Sequence, residues 1–142
     1  MKRTHFLVSL GLAGLAAGSL VYAAVDGPRA TLMSERDYAS AASRIDKETR
    51  KQMLHCASLA GYEASVCGTE TQAQQSILMA ELTASYLGTV TAQSEARKAR
   101  IEGELMVDNA RCQAFENDSR DTCRQIALEQ RHAALRQLGG PA

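Results

Sequence analysis

The chain has 142 residues, and its 16 Lys and Arg are balanced by 16 Asp and Glu, so its formal net charge is zero. That balance, without a basic stripe or polybasic cluster, leaves no basis for a nucleic-acid partner or for recognition of anionic lipid. Aromatic residues are only 4% of the chain and Trp is absent, which excludes a large core and gives cross-links weight in stability.

Residues 1–24 read as a secretory signal peptide. Lys2 and Arg3 precede the apolar run FLVSLGLAGLAAGSLV, and YAA follows with small residues where a signal peptidase cuts. The alternative is a retained anchor, but the Gly and Ala content makes a poor lipid-facing helix. Cleavage leaves a mature chain of about 118 residues, starting at Ala24 or Val25 with a charge of about −2, enough for one domain. Nothing in it would hold a membrane after cleavage. The expected destination is export. Residues 25–33, with Gly27 and Pro28, form a flexible lead-in.

From Ser34 to Gly140 there is no proline, and strong helix formers dominate. SERD, Ser34 to Asp37, has the form of a capping box. Tyr38, Ala42, Ile45, Thr49, Gln52, Cys56 and Leu59 lie at helical-seam spacing, weakened by the polar Thr49 and Gln52, as do Glu70, Ala73, Ile77, Ala80, Ala84 and Leu87 after it, and Ile101, Leu105, Asp108, Cys112 and Phe115 beyond. The fold class is all-α. Helices are expected near 34–59, 66–114 and 122–138.

Two cysteine brackets organise these helices: HCASLAGYEASVC ends at Cys67, and RCQAFENDSRDTC ends at Cys123. Cysteines eleven apart on an unbroken helix are separated by roughly 16 Å and cannot bond to one another. Local pairing therefore requires a turn inside each bracket, and Gly61 and Asn117 to Ser119 supply turn residues. Cys56–Cys67 and Cys112–Cys123 bridges are expected, with Ser65 and Asp121 near the start of each returning helix. The alternative joins Cys56 to Cys123 and Cys67 to Cys112, as in twin-cysteine hairpins of the mitochondrial intermembrane space.

At an offset of 56 residues Arg44 meets Arg100, Ile45 meets Ile101, Glu48 meets Glu104, and both cysteine pairs coincide. The domain 34–138 thus reads as two degenerate units, about 38–86 and 94–138. Between them Gly88, Thr89, Val90 and Thr91 lower helix propensity. Either the middle helix runs through with a kink, or it breaks and the hairpins fold together. The lack of proline favours the former: two disulfide-stapled antiparallel helical hairpins sharing a long or kinked central helix.

The first unit resembles a family of small exported, alanine-rich, cysteine-paired helical-repeat proteins of proteobacteria. Arg44, Ile45, Cys56, Leu59, Gly61, Val66, Cys67, Glu70, Glu81, Leu82 and Tyr86 carry the likeness. The second unit departs from it at Phe115, Asn117 and Ile126. The resemblance implies a periplasmic helical protein of cell-envelope biogenesis and no catalytic residues. A weaker likeness, through ARCQAFE and SRDTC, is to four-cysteine helical proteins linked to lysozyme inhibition.

Chemistry-bearing patterns are sparse. His55 beside Cys56 could offer nitrogen and sulfur, with His132 the other histidine of the mature chain, but structural zinc sites prefer two to four residues between cysteines. No metal or cofactor is expected. No Gly-x-Ser-x-Gly elbow or Cys-x-x-Cys pair is present, and Glu102 with Glu104, or Glu116 with Asp118, read as solvated charges. The expected function is therefore non-catalytic: a structural or protein-interaction module of the envelope. Its partner would be another envelope protein or a second copy. The alternative is a lysozyme-inhibitor-like binder using the acidic loop of Phe115, Glu116, Asp118, Arg120 and Asp121.

Overall fold

The computed structural model describes residues 33–139; the expected signal peptide and almost all of the expected lead-in lie outside the described residues. Four helices follow in order, α1 (Glu35–Cys56), α2 (Gly61–Leu87), α3 (Val90–Arg111) and α4 (Asn117–Gln137), with a single 3-10 turn, Cys112–Ala114, between the last two. Among the described residues there is no strand, and no helix is long and apolar enough to cross a membrane.

The first helix starts where its capping sequence says it should. Ser34 Oγ accepts the Asp37 backbone N–H at 3.1 Å and donates to Asp37 Oδ2 at 2.7 Å. One orphan donor is satisfied and a carboxylate is held at the positive end of the helix dipole. Beyond Cys56 the terminal carbonyls turn inward on their own loop. Ser58 Oγ donates to the His55 carbonyl at 2.7 Å, and the Leu59 N–H reaches the Cys56 carbonyl at 3.1 Å.

The continuous helix expected over 66–114 does not form. At Gly88 the backbone turns left-handed, φ 61°, and its N–H donates to the Ala84 carbonyl at 2.9 Å. Thr89 is extended, and its Oγ1 accepts the Ala92 N–H at 3.1 Å, capping α3. A glycine that closes one helix and a threonine that opens the next make the break inexpensive without any proline. Folding back also buries surface that one extended helix would leave in water. The two hairpins therefore share no helix; α2 and α3 are separate and antiparallel, and both disulfide loops lie at one end of the bundle.

The α2–α3 seam is the largest interface, with α1 packed on the outside of α2 and α4 on the outside of α3. Its buried residues are small, Ala73 and Ala84 from α2 and Ala92, Ala96 and Ala110 from α3, while the larger buried Leu82 and Ile101 lie on the opposite faces of those two helices. At Gly103 an added Cβ would stand 2.9 Å from Ile77 Cδ1 and 3.5 Å from Ala73 Cβ. Absence of a side chain there is what lets the helices approach. Polar ties cross each interface. Gln75 Nε2 donates to Asp46 Oδ1 at 3.1 Å, Arg100 pairs with Glu81, and Arg111 Nη2 meets Glu70 Oε1 at 2.7 Å. Arg131 grips Glu102 through Nε at 2.9 Å and Nη2 at 2.5 Å. These hydrogen bonds raise the Arg131 pKa above its ordinary value against the desolvation that lowers it, and the Glu102 charge adds to the rise.

Candidate functional site

The two stapled turns are built alike. Cys56 and Cys67 are bridged with Cα atoms 5.4 Å apart, and Cys112 and Cys123 at 5.6 Å, so the local pairing holds and no cysteine remains free. In each loop the residue three after the first cysteine returns its N–H to that cysteine's carbonyl, Leu59 at 3.1 Å and Phe115 at 3.2 Å. An extended residue follows, Ala60 (φ −133°, ψ 154°) or Glu116 (φ −123°, ψ 155°). A left-handed residue then opens the next helix, Gly61 or Asn117. Both returning helices consequently begin five residues before the expected 66 and 122. Ser65 and Asp121 lie inside them and do not cap them.

The first cysteine of each bridge is buried, Cys56 almost wholly and Cys112 completely. Each bridge thus pins the interior of its turn and leaves the outer rim to solvent. On that rim Phe115 is 49% exposed and Tyr62 42%. Glu116, Asp118 and Asp121 are exposed beside Phe115. Arg120 is half-buried, and its Nε donates to the Phe115 carbonyl at 2.8 Å. That cation is thus engaged on the loop's own backbone, while the three carboxylates face water.

Tyr62, which the sequence marks only as one of few aromatics, ties the two turns together. Its hydroxyl donates to the Arg111 carbonyl at 3.1 Å, one of the last carbonyls of α3. Its position directly after the turn glycine was the available signal; that the second turn lies within reach depends on the break at Gly88.

A second concavity runs along the middle of the bundle, where α1 and α3 flank α2. It encloses about 820 Å³. Gln74, Ile77 and Leu78 of α2 line its floor, Ile45 and Glu48 line the α1 side, and Glu104 and Val107 line the α3 side.

The metal and acid–base candidates do not assemble. His55 is exposed in the last turn of α1, beside a Cys56 sulfur already bonded to Cys67, whereas His132 is half-buried about 22 Å along α4. Glu102 is held by Arg131 on the α4 side, while Glu104 lines the concavity facing α1. Among the described residues no three His, Cys, Asp or Glu side chains gather where a metal ion could be held, and no polar side-chain atom is buried without a partner. No family model, curated protein or solved structure matches the chain.

Proposed function

We propose that this is a non-catalytic helical module of the periplasm that works by docking a protein partner at its stapled end. The observation carrying this reading is the convergence of both disulfide loops on one end of the bundle. Tyr62 and Phe115 stand exposed there beside Glu116, Asp118 and Asp121. A surface held by two cross-links and a tyrosine tie loses little freedom on binding, which lowers the cost of association. Aromatic residues flanked by charge are the usual composition of such contacts. The periplasmic location is supported by the signal pattern of residues 1–24 and by two disulfides, which persist in oxidising compartments. Descent from a duplicated unit is supported by the matching backbone of the two turns.

The test pairs location with docking. A chain exported from its own N-terminus should be recovered from periplasmic extract without Met1. Cross-linking in that compartment should trap a partner through Phe115 or Glu116. The Glu116→Gln/Asp118→Asn/Asp121→Asn variant should trap less of it, at unchanged helicity. Retention of Met1, or substrate turnover by the pure protein, overturns the reading.

A second reading, inhibition of a basic hydrolase such as lysozyme by the 115–121 loop, is favoured by the Arg120 anchor on the Phe115 carbonyl. It predicts stoichiometric loss of lysozyme activity on addition of the protein and recovery with the same triple variant.

A further inference from the structure

We infer that the trough between α1 and α3 is a seat for a basic amphipathic helix of a partner protein. It is a different surface from the stapled end. Each flanking helix stops short of completing a bundle: α1 packs on α2, and α2 on α3, with no packed interface between α1 and α3. The opening they leave runs beside α2 from Glu70 to Glu81, about 16 Å or three helical turns. Helices pack with axes 8–10 Å apart, so a helix lying over Gln74, Ile77 and Leu78 would touch α1 and α3 together.

Charge selects the occupant. Five carboxylates line the trough, from Glu48, Glu70, Glu81, Glu104 and Asp108, against the two guanidiniums of Arg100 and Arg111. Both arginines are engaged across the α2–α3 seam, Arg100 with Glu81 and Arg111 with Glu70. Glu48, Glu104 and Asp108 remain along the two walls. Glu48 accepts from the Gln52 side-chain amide at 3.1 Å and has its nearest cation, the exposed Lys51, at 3.7 Å, while Asp108 lies 3.9 Å from the already engaged Arg111. The aliphatic side chains of Ile45, Ile77, Leu78 and Val107 set among these carboxylates complement a helix with aliphatic residues on one face and Lys or Arg on both flanks. An acidic or neutral helix would leave those wall charges desolvated without partners.

The probe is a fluorescent 14-residue peptide with Leu and Lys at helical spacing, measured by anisotropy against the purified oxidised chain at low salt. The same peptide with Glu in place of Lys is the control. The Lys peptide should bind and become helical; the Glu peptide should not bind. Glu48→Lys/Glu104→Lys/Asp108→Lys should weaken binding about tenfold or more. An equal reversal away from the trough, Glu35→Lys/Glu63→Lys/Glu129→Lys, should weaken it less than threefold. Circular dichroism checks that all variants stay folded. The stapled-end variant Glu116→Gln/Asp118→Asn/Asp121→Asn should bind the Lys peptide normally, which separates this site from the docking end. Equal loss from both reversals, binding of both peptides, or binding of neither overturns the proposal. So does a dimer that the trough reversal abolishes, because a second copy would then be the occupant.

Discussion

Gly61 and Asn117 hold the same left-handed backbone position, at φ 56° and 49°, each as the first residue of the helix leaving a disulfide loop. Asparagine is among the few non-glycine residues that tolerate this region, through local hydrogen bonding of its short side chain. No atom would meet a Cβ at Gly61 within 4 Å, so the constraint there is conformational and not steric. Gly61→Val and Asn117→Val should each destabilise the protein by about 1–2 kcal/mol. Asn117→Gly should be close to neutral. Urea unfolding of the four proteins measures this, and a tolerated Asn117→Val would contradict it.

The bridges should map within their own segments. Non-reduced proteolysis is expected to yield Cys56 linked to Cys67 and Cys112 linked to Cys123. Closing loops this short stabilises by roughly 3 kcal/mol each in the chain-entropy account. Cys56→Ser/Cys67→Ser should therefore lower the unfolding midpoint strongly. Recovery of a Cys56–Cys123 peptide would refute the turn architecture.

The break at Gly88 and Thr89 sets the distance between the two loops. Non-cysteine spin labels at the exposed positions 63 and 118 should lie about 20 Å apart, two interhelical spacings. One helix through 66–114 would be about 74 Å long and hold the loops at opposite ends. Thr89→Ala removes the α3 cap and should cost about 1 kcal/mol without lengthening that distance, because the α2–α3 seam persists.

At Gly103 two effects oppose each other. Alanine is better by about 1 kcal/mol in a helix interior, yet its methyl would crowd the flexible Cδ1 end of Ile77. Gly103→Ala should consequently be nearly neutral. Gly103→Leu has no room without parting α2 from α3 and should cost at least about 1–3 kcal/mol as an overpacked core. Paired thermal melts distinguish the two, and a neutral Gly103→Leu would show that the seam is loose.

Much of this was legible in the chain. Ser34 and Asp37 announced α1, and the brackets closed by Cys67 and Cys123 announced the turns, because caps and short cross-linked loops depend on neighbouring residues. Asn117 was legible only in part: as a departure from the glycine of the first unit it looked like decay, whereas its backbone performs the same task. The break is poorly legible because the absence of proline favours a continuous helix, whereas a closing Gly88 paired with a capping Thr89 ends it as effectively. The tie between Tyr62 and Arg111, 49 residues apart, and the trough bounded by Ile45 and Val107 follow from that fold-back, so no local pattern could carry them.

The small side chains of the α2–α3 seam set the thermal character of the molecule. Unfolding a core of alanines such as Ala73, Ala84, Ala92 and Ala96 hydrates little apolar surface. The heat-capacity change should then fall below the usual ~12–15 cal/mol/K per residue, and the stability curve should be broad and shallow. Such a protein changes little in stability from cold to warm surroundings, with its resistance supplied by covalent loops whose effect lies in the unfolded chain. Exposed to changing temperature, it would hold its shape by limiting what unfolding can gain.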